Sequence, residues 1–343
     1  MTREAVLKNA AAGGKDTEFD SDLRPSRLSE VIGQRDVLQR IHIVIDSALK
    51  RNEALGHVLL DGPPGLGKTT LGLCLPRELK SEIQMTSGAV LKAPKDLIPY
   101  LTNAKERSIL FIDEIHRLPP AAEEYLYTAM EDFRIDIILG DGVNARTHNV
   151  WLKRFTLVGA TTRAGMLSGP LRDRFQIREH LRFYDVGELT EIVLRSAQKL
   201  RVAIDSDSAS LIASRSRGTP RVANNRLRWI RDYATSRHEG RVDSNVVEQA
   251  LKMAGIDTLG LDDQDRAYLS TLIRVFGGGP AGIEAISHTM NASLDTLSDE
   301  VEPFLLRTEL VVRTPRGRLA TALAYRHMEI DPPLDAQGEL FNP

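Results

Sequence analysis

The segment DGPPGLGKTT, residues 61–70, constrains the fold of this chain more than any other. It follows the apolar run HVLL and matches the pattern G-x-x-x-x-G-K-[ST] with Gly62, Gly67, Lys68 and Thr69. The glycines let backbone N–H groups turn inward around phosphate oxygens, while the lysine reaches the β- and γ-phosphates and the hydroxyl binds Mg²⁺. The segment therefore predicts a strand, a phosphate-binding loop and a helix, with ATP and Mg²⁺ as cofactors.

Two later runs repeat the form of an apolar strand that leads into polar turn residues, SILFID at 108–113 and RFTLVGATT at 154–162. Helical segments separate them. Buried strands that alternate with helices are typical of a parallel sheet covered on both faces. The fold class expected is α/β, a P-loop NTPase with a parallel sheet.

The patterns change from Val186 onward, where only helical segments follow until about residue 256. A third unit of short helices and a basic hairpin comes next. The expected divisions are a polar arm at 1–22, a large domain at 23–185 with a hairpin at about 133–153, a small all-helical unit at 186–256, a third unit at 257–330 and a tail at 331–343.

Pro76 lies two turns into the helix that the phosphate loop should begin. A proline inside a helix removes one hydrogen bond and clashes with the carbonyl four residues earlier. The helix is therefore predicted to kink or end there, after the nucleotide contacts.

Composition limits the setting in which the chain works. Hydrophobic residues make up 42% of it, and no apolar run approaches the roughly 18 residues of a membrane span. The N-terminus lacks a secretory core, and the single cysteine, Cys74, excludes an intrachain disulfide. These features favour the cytoplasm. Because the net charge is −2, binding to nucleic acid would require a local basic patch.

A pair of acids follows the strand in ILFIDEIHRL. Ligands of open α/β sheets bind at the carboxyl ends of the strands, where Asp113 and Glu114 would lie. Asp113 would hold Mg²⁺ and Glu114 would polarise the water that attacks the γ-phosphate. His116 is interpreted as structural.

Two threonines and several arginines complete the candidate site. Thr161 and Thr162 end another strand, with hydroxyl groups suited to orient water or the γ-phosphate. Arg172 or Arg174 in GPLRDRF and Arg221 in RGTPR could reach the γ-phosphate. An arginine supplied by a neighbouring subunit makes hydrolysis depend on assembly.

The order of the motifs resembles one family. RPSRLSEVIGQ, GPPGLGKTT, LFIDEIHRL, AMEDFRIDI, GATTRAGMLSGPLRDRF, SRGTPRVAN and RTPRGR together are similar to the RuvB family of AAA+ motors, over roughly residues 20–330. The resemblance implies a helical lid and a C-terminal winged helix after the ATPase domain. It also implies a homo-hexameric ring on double-stranded DNA at four-way junctions, a RuvA-type partner and a RuvC-type resolvase in a larger complex.

The resemblance also implies roles for individual residues. Thr69 and Asp113 would bind the metal, and Glu114 and Thr161 would act in hydrolysis. Arg174 would act in trans on the site of a neighbouring subunit. Whether Thr161 or Thr162 matches the strand-end sensor stays open, because the two differ by one residue in the alignment of the motif. The nucleotide contacts that it implies are Leu23, Arg24, Gly65, Lys68, Thr69, Thr70, Glu131, Asp132, Phe133, Arg174, Tyr184 and Arg221. Of these, Arg221 resembles the lid sensor that reports nucleotide state.

The late segment ELVVRTPRGRLATALA, residues 309–324, would be the wing of the winged helix. Turn residues at its tip would project Arg313, Arg316 and Arg318 toward phosphates. Phosphate contacts give affinity without base readout, which suits a motor that moves along any duplex. The alternative is an incidental basic hairpin.

The hairpin FRIDIILGDGVNARTHNVWL departs from the family pattern. In RuvB this hairpin binds RuvA through aliphatic residues, whereas here the returning strand has His148 before Val150 and Trp151. The partner would still dock near these three residues, around a Gly140-Asp141-Gly142 turn. Trp151 is either an interface anchor or a core aromatic residue.

Other classes remain open on the residues alone. A clamp-loader-like AAA+ switch would share the phosphate loop and the acids but would not pump a strand. A P-loop kinase would lack the trans arginine and the DNA-binding unit. A non-catalytic binding protein would need disabled acids, and Asp113 and Glu114 are both present.

Overall fold

A computed structural model describes residues 23–139 and 146–331. The predicted polar arm, the turn of the 133–153 hairpin and the tail after residue 331 lie outside the described residues. The chain divides into two compact units between Tyr184 and Asp185. Each unit is described by itself below.

The first unit is built on a five-stranded parallel sheet with strand order β2-β3-β6-β1-β7. Its strands are β1 Val58–Asp61, β2 Ile83–Ser87, β3 Ile109–Asp113, β6 Thr156–Thr161 and β7 Ile177–His180. A separate antiparallel hairpin consists of β4 Arg134–Leu139 and β5 Arg146–Trp151. The polar end residues of neighbouring strands are in register, Ser87 with Asp113 and Asp61 with Thr161, so one sheet edge gathers them.

One helix precedes the first strand of this sheet, and four others connect its strands. They are α1 Arg35–Arg51, α2 Lys68–Leu79, α3 Pro94–Thr102, α4 Pro120–Glu131 and α5 Gly169–Asp173. Helix α2 packs closely on β3 because Gly72 has no side chain: a Cβ there would lie 2.2 Å from the ring of Phe111. This close approach positions the start of α2 over the sheet edge.

The sequence predicts that α2 kinks or ends at Pro76. In the structure the helix continues to Leu79. Pro76 lies in the last turn, where its missing N–H removes a single bond to the Gly72 carbonyl. Lys80 then adopts a left-handed conformation, and the amide of Ser81 donates to the Pro76 carbonyl at 2.9 Å. The helix is therefore capped one turn after the proline.

The second unit begins with four helices, α6 Val186–Lys199, α7 Ser206–Ser214, α8 Pro220–Arg237 and α9 Ser244–Met253. Asp185, Asp205 and Asp243 each accept a hydrogen bond from the first turn of the helix that follows. Such N-caps satisfy backbone donors that the helix leaves unpaired. This part is the all-helical lid that the sequence predicted.

The unit continues as a winged helix. Its helices are α10 Asp263–Arg274, α11 Ile283–Met290, α12 Leu294–Thr296, α13 Glu302–Arg307 and α14 Ala322–His327, and its wing is β8 Val311–Thr314 with β9 Gly317–Ala320. Tyr268, Leu305 and Tyr325 lie in its buried core. None of the helices in the described part of the chain is both long and apolar enough to span a bilayer.

Candidate nucleotide site and wing

The phosphate loop joins β1 to α2 at the carboxyl edge of the sheet. Gly62, Gly65 and Gly67 all have positive φ values, 133°, 76° and 99°, which L-residues rarely adopt. A Cβ on Gly62 would also lie 2.6 Å from the carbonyl oxygen of Leu181. Lys68 is buried, and its Nζ donates to the carbonyls of Gly62 at 2.7 Å and Pro63 at 2.8 Å. The loop therefore encloses a cation at a helix N-terminus, which is an arrangement that favours phosphate.

Two acids and a hydroxyl lie together beside this loop. The Oγ1 of Thr69 donates to Oδ2 of Asp113 at 2.9 Å. Glu114 has a left-handed backbone, with φ of 48°, and its amide donates to Oδ1 of Asp113 at 3.0 Å. Oxygen donors of this kind are the ligands that Mg²⁺ prefers, so Thr69 and Asp113 fit the metal that the motif implies.

Of the two threonines at the end of β6, Thr162 approaches Glu114 of this cluster directly, whereas Thr161 is linked to it through His116. Thr161 is fully buried, and its Oγ1 accepts a hydrogen bond from the amide of Arg163 at 3.0 Å and lies 2.9 Å from Nδ1 of His116. The Oγ1 of Thr162 lies 3.5 Å from Oε2 of Glu114, at the long limit of a hydrogen bond. Thr161 is thus linked to His116 and Thr162 to Glu114, so the geometry does not choose between the two threonines.

His116, which the sequence interpretation assigned a structural role, lies beside the candidate site residues. Its Nδ1 lies 2.9 Å from the Thr161 hydroxyl and 3.4 Å from Oε2 of Glu114. The left-handed turn at Glu114 brings the following residues back over the sheet edge, where they form a short 3₁₀ turn, Ile115–Arg117. The only sequence signal for this position is a histidine, with its two ring nitrogens, two residues after Glu114.

Further predicted nucleotide contacts are Leu23, at the adenine side, with Arg24, Thr70 and Tyr184. Leu23 and Tyr184 are both buried, and Arg24 is partly buried. The hydroxyl of Tyr184 donates to the carbonyl of Leu66 at 3.3 Å. Thr70, in the first turn of α2, is partly buried. Leu66 is part of the phosphate loop, so Tyr184 is anchored to the loop itself.

A second group of predicted residues gathers around Arg174. Its Nη2 donates to Oε2 of Glu131 at 2.7 Å, its Nη1 donates to the carbonyl of Pro170 at 2.9 Å, and its guanidinium lies 4.7 Å from the Tyr127 ring centre. Asp132 is the exposed cap of α4. The guanidinium is therefore held in a defined orientation beside the exposed end of α4.

Phe133 begins the hairpin with a positive φ of 50°. Its ring contacts Phe155 edge to face at 5.9 Å, and the guanidinium of Arg154 lies 5.3 Å from its centre. The Nε2 of His57 lies 3.0 Å from the carbonyl of Met130, and its Nδ1 accepts the amide of Leu157. Burial lowers the pKa of His57. These contacts fix the turn from α4 into the hairpin.

The hairpin does not use Trp151 in the core. Its side chain is 73% exposed, with the guanidinium of Arg134 6.0 Å from the indole centre. On the opposite face Ile135 is buried and pairs with Val150, which packs partly against the core, whereas His148 is exposed. The core interpretation of Trp151 is therefore wrong.

The wing presents its arginines unequally. Arg313 and Arg318 are directly paired across the strands, and both donate to Glu302: Arg313 Nη2 to Oε2 at 2.6 Å and Arg318 Nε to Oε1 at 2.6 Å. Glu302 is fully buried, whereas the Arg313 side chain is 52% and the Arg318 side chain 20% exposed. Arg316, at the turn, is exposed. Sequence reasoning missed Glu302.

The environment of Glu302 determines its charge. Burial alone would raise the pKa of its carboxyl group. The hydrogen bonds and charges of Arg313 and Arg318 together outweigh burial, so the net pKa lies below its ordinary value. A buried carboxylate therefore holds two of the three predicted DNA-binding arginines.

Arg221, the predicted lid sensor, belongs to the second unit. It is exposed and follows Pro220, the first residue of α8. Proline is well suited to the first helical position because its missing N–H would be unpaired there anyway. Arg221 thus projects from the first turn of a helix with a defined start.

Comparisons with known proteins agree along the whole described chain. Family models described as the Holliday junction DNA helicase RuvB P-loop domain, the RuvB AAA lid domain and the RuvB C-terminal winged helix domain match residues 23–181, 184–257 and 258–329. The fold class predicted from sequence is confirmed.

Individual relatives are similar over most of their length. The Holliday junction branch migration complex subunit RuvB of Rhodopirellula baltica is 64% identical over 94% of this chain and 89% of its own. Its counterpart of the same name from Kosmotoga olearia is 53% identical over 90% of each chain. A solved structure, the RuvB Holliday junction branch migration motor of Thermotoga maritima, is 44% identical, with a TM-score of 0.84 over 91% of this chain and 100% of that one. This chain therefore belongs to the RuvB family.

Proposed function

We propose that this protein is an ATP-driven motor that moves the branch point of Holliday junctions by pulling duplex DNA. It works with a RuvA-type partner that binds the junction, and it forms a homo-hexameric ring. The names of its relatives support this proposal, since they are subunits of a branch migration complex. The observation that matters most is the cluster of Lys68, Asp113, Glu114 and the strand-end threonines at one sheet edge.

In this proposal ATP binds with its phosphates in the loop from Gly65 to Thr70. Lys68 exchanges its carbonyl contacts for phosphate oxygens. Thr69 and Asp113 would hold Mg²⁺, which would supply positive charge that neutralises the phosphates. Glu114 accepts a proton from the attacking water. As the proton leaves, the oxygen of this water bonds to the γ-phosphorus, and the bond between the γ-phosphorus and the β-phosphate oxygen breaks. Thr161 orients the water or the γ-phosphate.

Different residues would recognise the base and report the nucleotide state. Leu23 contacts the adenine side of the nucleotide, and Arg24 and Tyr184 are further nucleotide contacts. The hydrogen bond from Tyr184 to Leu66 links the Tyr184 contact to the phosphate loop. Arg221 of the lid contacts the nucleotide and reports its state. The same site thus responds to the presence of nucleotide and to its hydrolysis.

A neighbouring subunit completes the site. Arg174 stabilises charge that develops on the γ-phosphate, and Glu131, Asp132 and Phe133 contribute to the nucleotide bound by the next subunit. The pairing of Arg174 with Glu131 and its stacking on Tyr127 support this proposal, because they orient the guanidinium at a surface. Hydrolysis would then require assembly.

The wing contacts double-stranded DNA through Arg313, Arg316 and Arg318. The RuvA-type partner docks on the hairpin near His148, Val150 and Trp151, where the exposed indole provides an apolar anchor. A RuvC-type resolvase joins the larger complex, and the protein works in the cytoplasm.

The decisive experiment is ATP hydrolysis and branch migration on a synthetic four-way junction, with and without the cognate RuvA. Glu114→Gln is expected to bind ATP but to lower hydrolysis by about 10² to 10⁴-fold, because proton transfer from water is lost. Glu124→Gln, the same change at an exposed position on α4, is the matched control.

Three results would change the proposal. Hydrolysis with no junction movement under either condition would favour a clamp-loader-like switch that resets binding without pumping DNA. Hydrolysis and movement that do not respond to RuvA would leave the motor intact but would contradict docking at the altered hairpin. Full activity of Glu114→Gln would contradict the assignment of the base.

A further inference from the structure

A cluster of buried charges joins the lid to the winged helix within the second unit. Arg217 lies just before α8, with a positive φ of 53°, and its side chain is only 12% exposed. Its Nη2 donates to Oδ2 of Asp262 at 2.5 Å and also to Asp265, which is fully buried. One arginine of the lid therefore pairs with two carboxylates of the winged helix.

Those two carboxylates define how the winged helix begins. Asp262 is the N-cap of α10, and its Oδ1 accepts the amides of Gln264 at 2.9 Å and Asp265 at 3.1 Å. Oδ2 of Asp265 accepts the amide of Asp262 at 2.9 Å in return. The pair is a capping box, which fixes the direction of a helix start. Arg217 is thus bonded to the element that orients α10.

A second lid arginine holds the connecting segment. Arg226 of α8 is buried, and its Nη2 donates to the carbonyl of Gly260 at 3.0 Å. Gly260 has a positive φ of 86°, and a Cβ there would lie 2.7 Å from the carbonyl oxygen of Arg215. The segment between lid and winged helix is therefore packed against the lid instead of being a loose linker.

Arg217 also reaches toward the wing. Its guanidinium lies 5.0 Å from the ring centre of Phe304, in α13. Two residues earlier on the same helix, Glu302 accepts hydrogen bonds from Arg313 and Arg318. In the other direction, Arg221 follows Arg217 by four residues, at the start of α8. One side chain thus lies between the predicted nucleotide sensor and the support of the wing.

We propose that Arg217 is a positioning residue that makes the lid and the winged helix move as one body, so that nucleotide state at Arg221 is communicated to the wing. This inference rests on the proposed function. Burial raises the pKa of Asp265 to about 7, and the charge of Arg217 opposes that rise, so separating the two parts would remove the main ionic partner of a buried carboxyl group, which is unfavourable. The coupling is reciprocal, so DNA on the wing also alters hydrolysis.

The chain offers a matched control for a test. Arg215, two residues earlier, is equally buried and pairs with Glu248, but both members of that pair belong to the lid. Arg217→Met and Arg215→Met therefore each remove a buried guanidinium and its ion pair, although Glu248 is half-exposed like Asp262, whereas Asp265 is fully buried. Only the first change breaks the connection to the winged helix.

The measurement is the ratio of ATP hydrolysis with duplex DNA to hydrolysis without it, in the full-length protein. Arg217→Met is expected to reduce this ratio by about tenfold, in the range of ordinary coupling energies, while basal hydrolysis and duplex affinity stay near wild type. Arg215→Met is expected to keep the wild-type ratio. Branch migration on a four-way junction should fall in parallel with the ratio.

Several outcomes would overturn the inference. A wild-type ratio in Arg217→Met would do so, as would an equal loss in Arg215→Met or an equal loss of basal hydrolysis. If Arg217→Met does not fold, Asp265→Asn tests the same pair and should lower the ratio to a lesser degree. Absence of stimulation in the wild-type protein would instead overturn the proposed function and this inference with it.

Discussion

The phosphate loop and the wing both contain cations that are predicted to bind phosphate, but they hold these cations differently. Lys68 donates to two backbone carbonyls, at 2.7 and 2.8 Å. Arg313 and Arg318 donate to the carboxylate of Glu302. A carbonyl is a neutral dipole, whereas a carboxylate has a full charge that opposes the charge of the arginines.

The difference shows how two sites for phosphate can have different affinities within one chain. A nucleotide phosphate that replaces carbonyls around Lys68 replaces dipoles by charge, which is favourable. A DNA phosphate that approaches Arg313 must share the guanidinium with Glu302. We expect tight nucleotide binding and moderated DNA binding, which suits a protein that must release duplex repeatedly.

The largest effect is expected at the phosphate loop. Lys68→Ala should lower ATP hydrolysis by at least about 100-fold, because the cation that faces the developing phosphate charge is lost. Duplex affinity should not change. Hydrolysis and fluorescent-nucleotide binding measure the effect, with Lys95→Ala, an exposed lysine of α3, as the control. Hydrolysis close to wild type would mean that the loop does not bind the phosphates.

The next effect tests the wing. Glu302→Gln keeps the shape of the side chain but removes its charge, so duplex affinity should rise by about tenfold, equivalent to roughly 1.4 kcal/mol. The slope of the logarithm of duplex affinity against the logarithm of salt concentration should become more negative by about one, because an additional phosphate is neutralised. Fluorescence anisotropy across a salt series measures both.

The control for this change is Glu300→Gln, the same substitution at an exposed position two residues earlier. Thermal unfolding of each variant verifies the fold. A decrease in duplex affinity of Glu302→Gln would reverse the comparison, since it would mean that the carboxylate orients the arginines for DNA and does not compete with it.

A smaller effect is expected at the tip of the wing. Arg316→Ala should weaken duplex binding by about threefold and make the salt slope shallower by about one, as for a single phosphate contact. Arg237→Ala, an exposed arginine at the end of α8, should have no effect. An unchanged salt slope in Arg316→Ala would remove this residue from the DNA contacts.

The smallest effect concerns pH. The pKa of Glu302 is lowered in the folded protein from an ordinary value of 4.5, so its contribution to stability is present above that value. This contribution is lost as the pH falls below it, with a slope of at most about 1.4 kcal/mol per pH unit. Urea unfolding of wild type and Glu302→Gln between about pH 6 and about pH 3 should converge at the acid end. If the free energies of unfolding of the two proteins instead differ by the same amount at every pH, the ionised Glu302 carboxylate does not stabilise the fold.

Sequence patterns were sufficient for the fold class because each part of it has a local signal. The phosphate loop lies between an apolar strand and a helix, and the lid helices have helical spacing without strands. The clustering of Lys68, Thr69 and Asp113 follows from parallel strands that end at one edge. Their roles in hydrolysis stay predictions.

Other features could not be inferred because they depend on distant packing. Glu302 is 11 residues from Arg313 and 16 from Arg318, and it reaches them only when α13 packs beneath the wing. His116 enters the site because Glu114 adopts a left-handed turn, for which no periodic pattern exists. The exposure of Trp151 depends on which face of the hairpin meets the core.

The position of Trp151 has a practical consequence for spectroscopy. The chain has two tryptophans, and the other, Trp229, donates its Nε1–H to the carbonyl of Ala250 in the second unit. Phenylalanine at position 229 would leave Trp151 as the sole indole fluorophore, already in water. Its emission would shift to shorter wavelength as a protein covers the hairpin, so docking could be followed in real time without any added label.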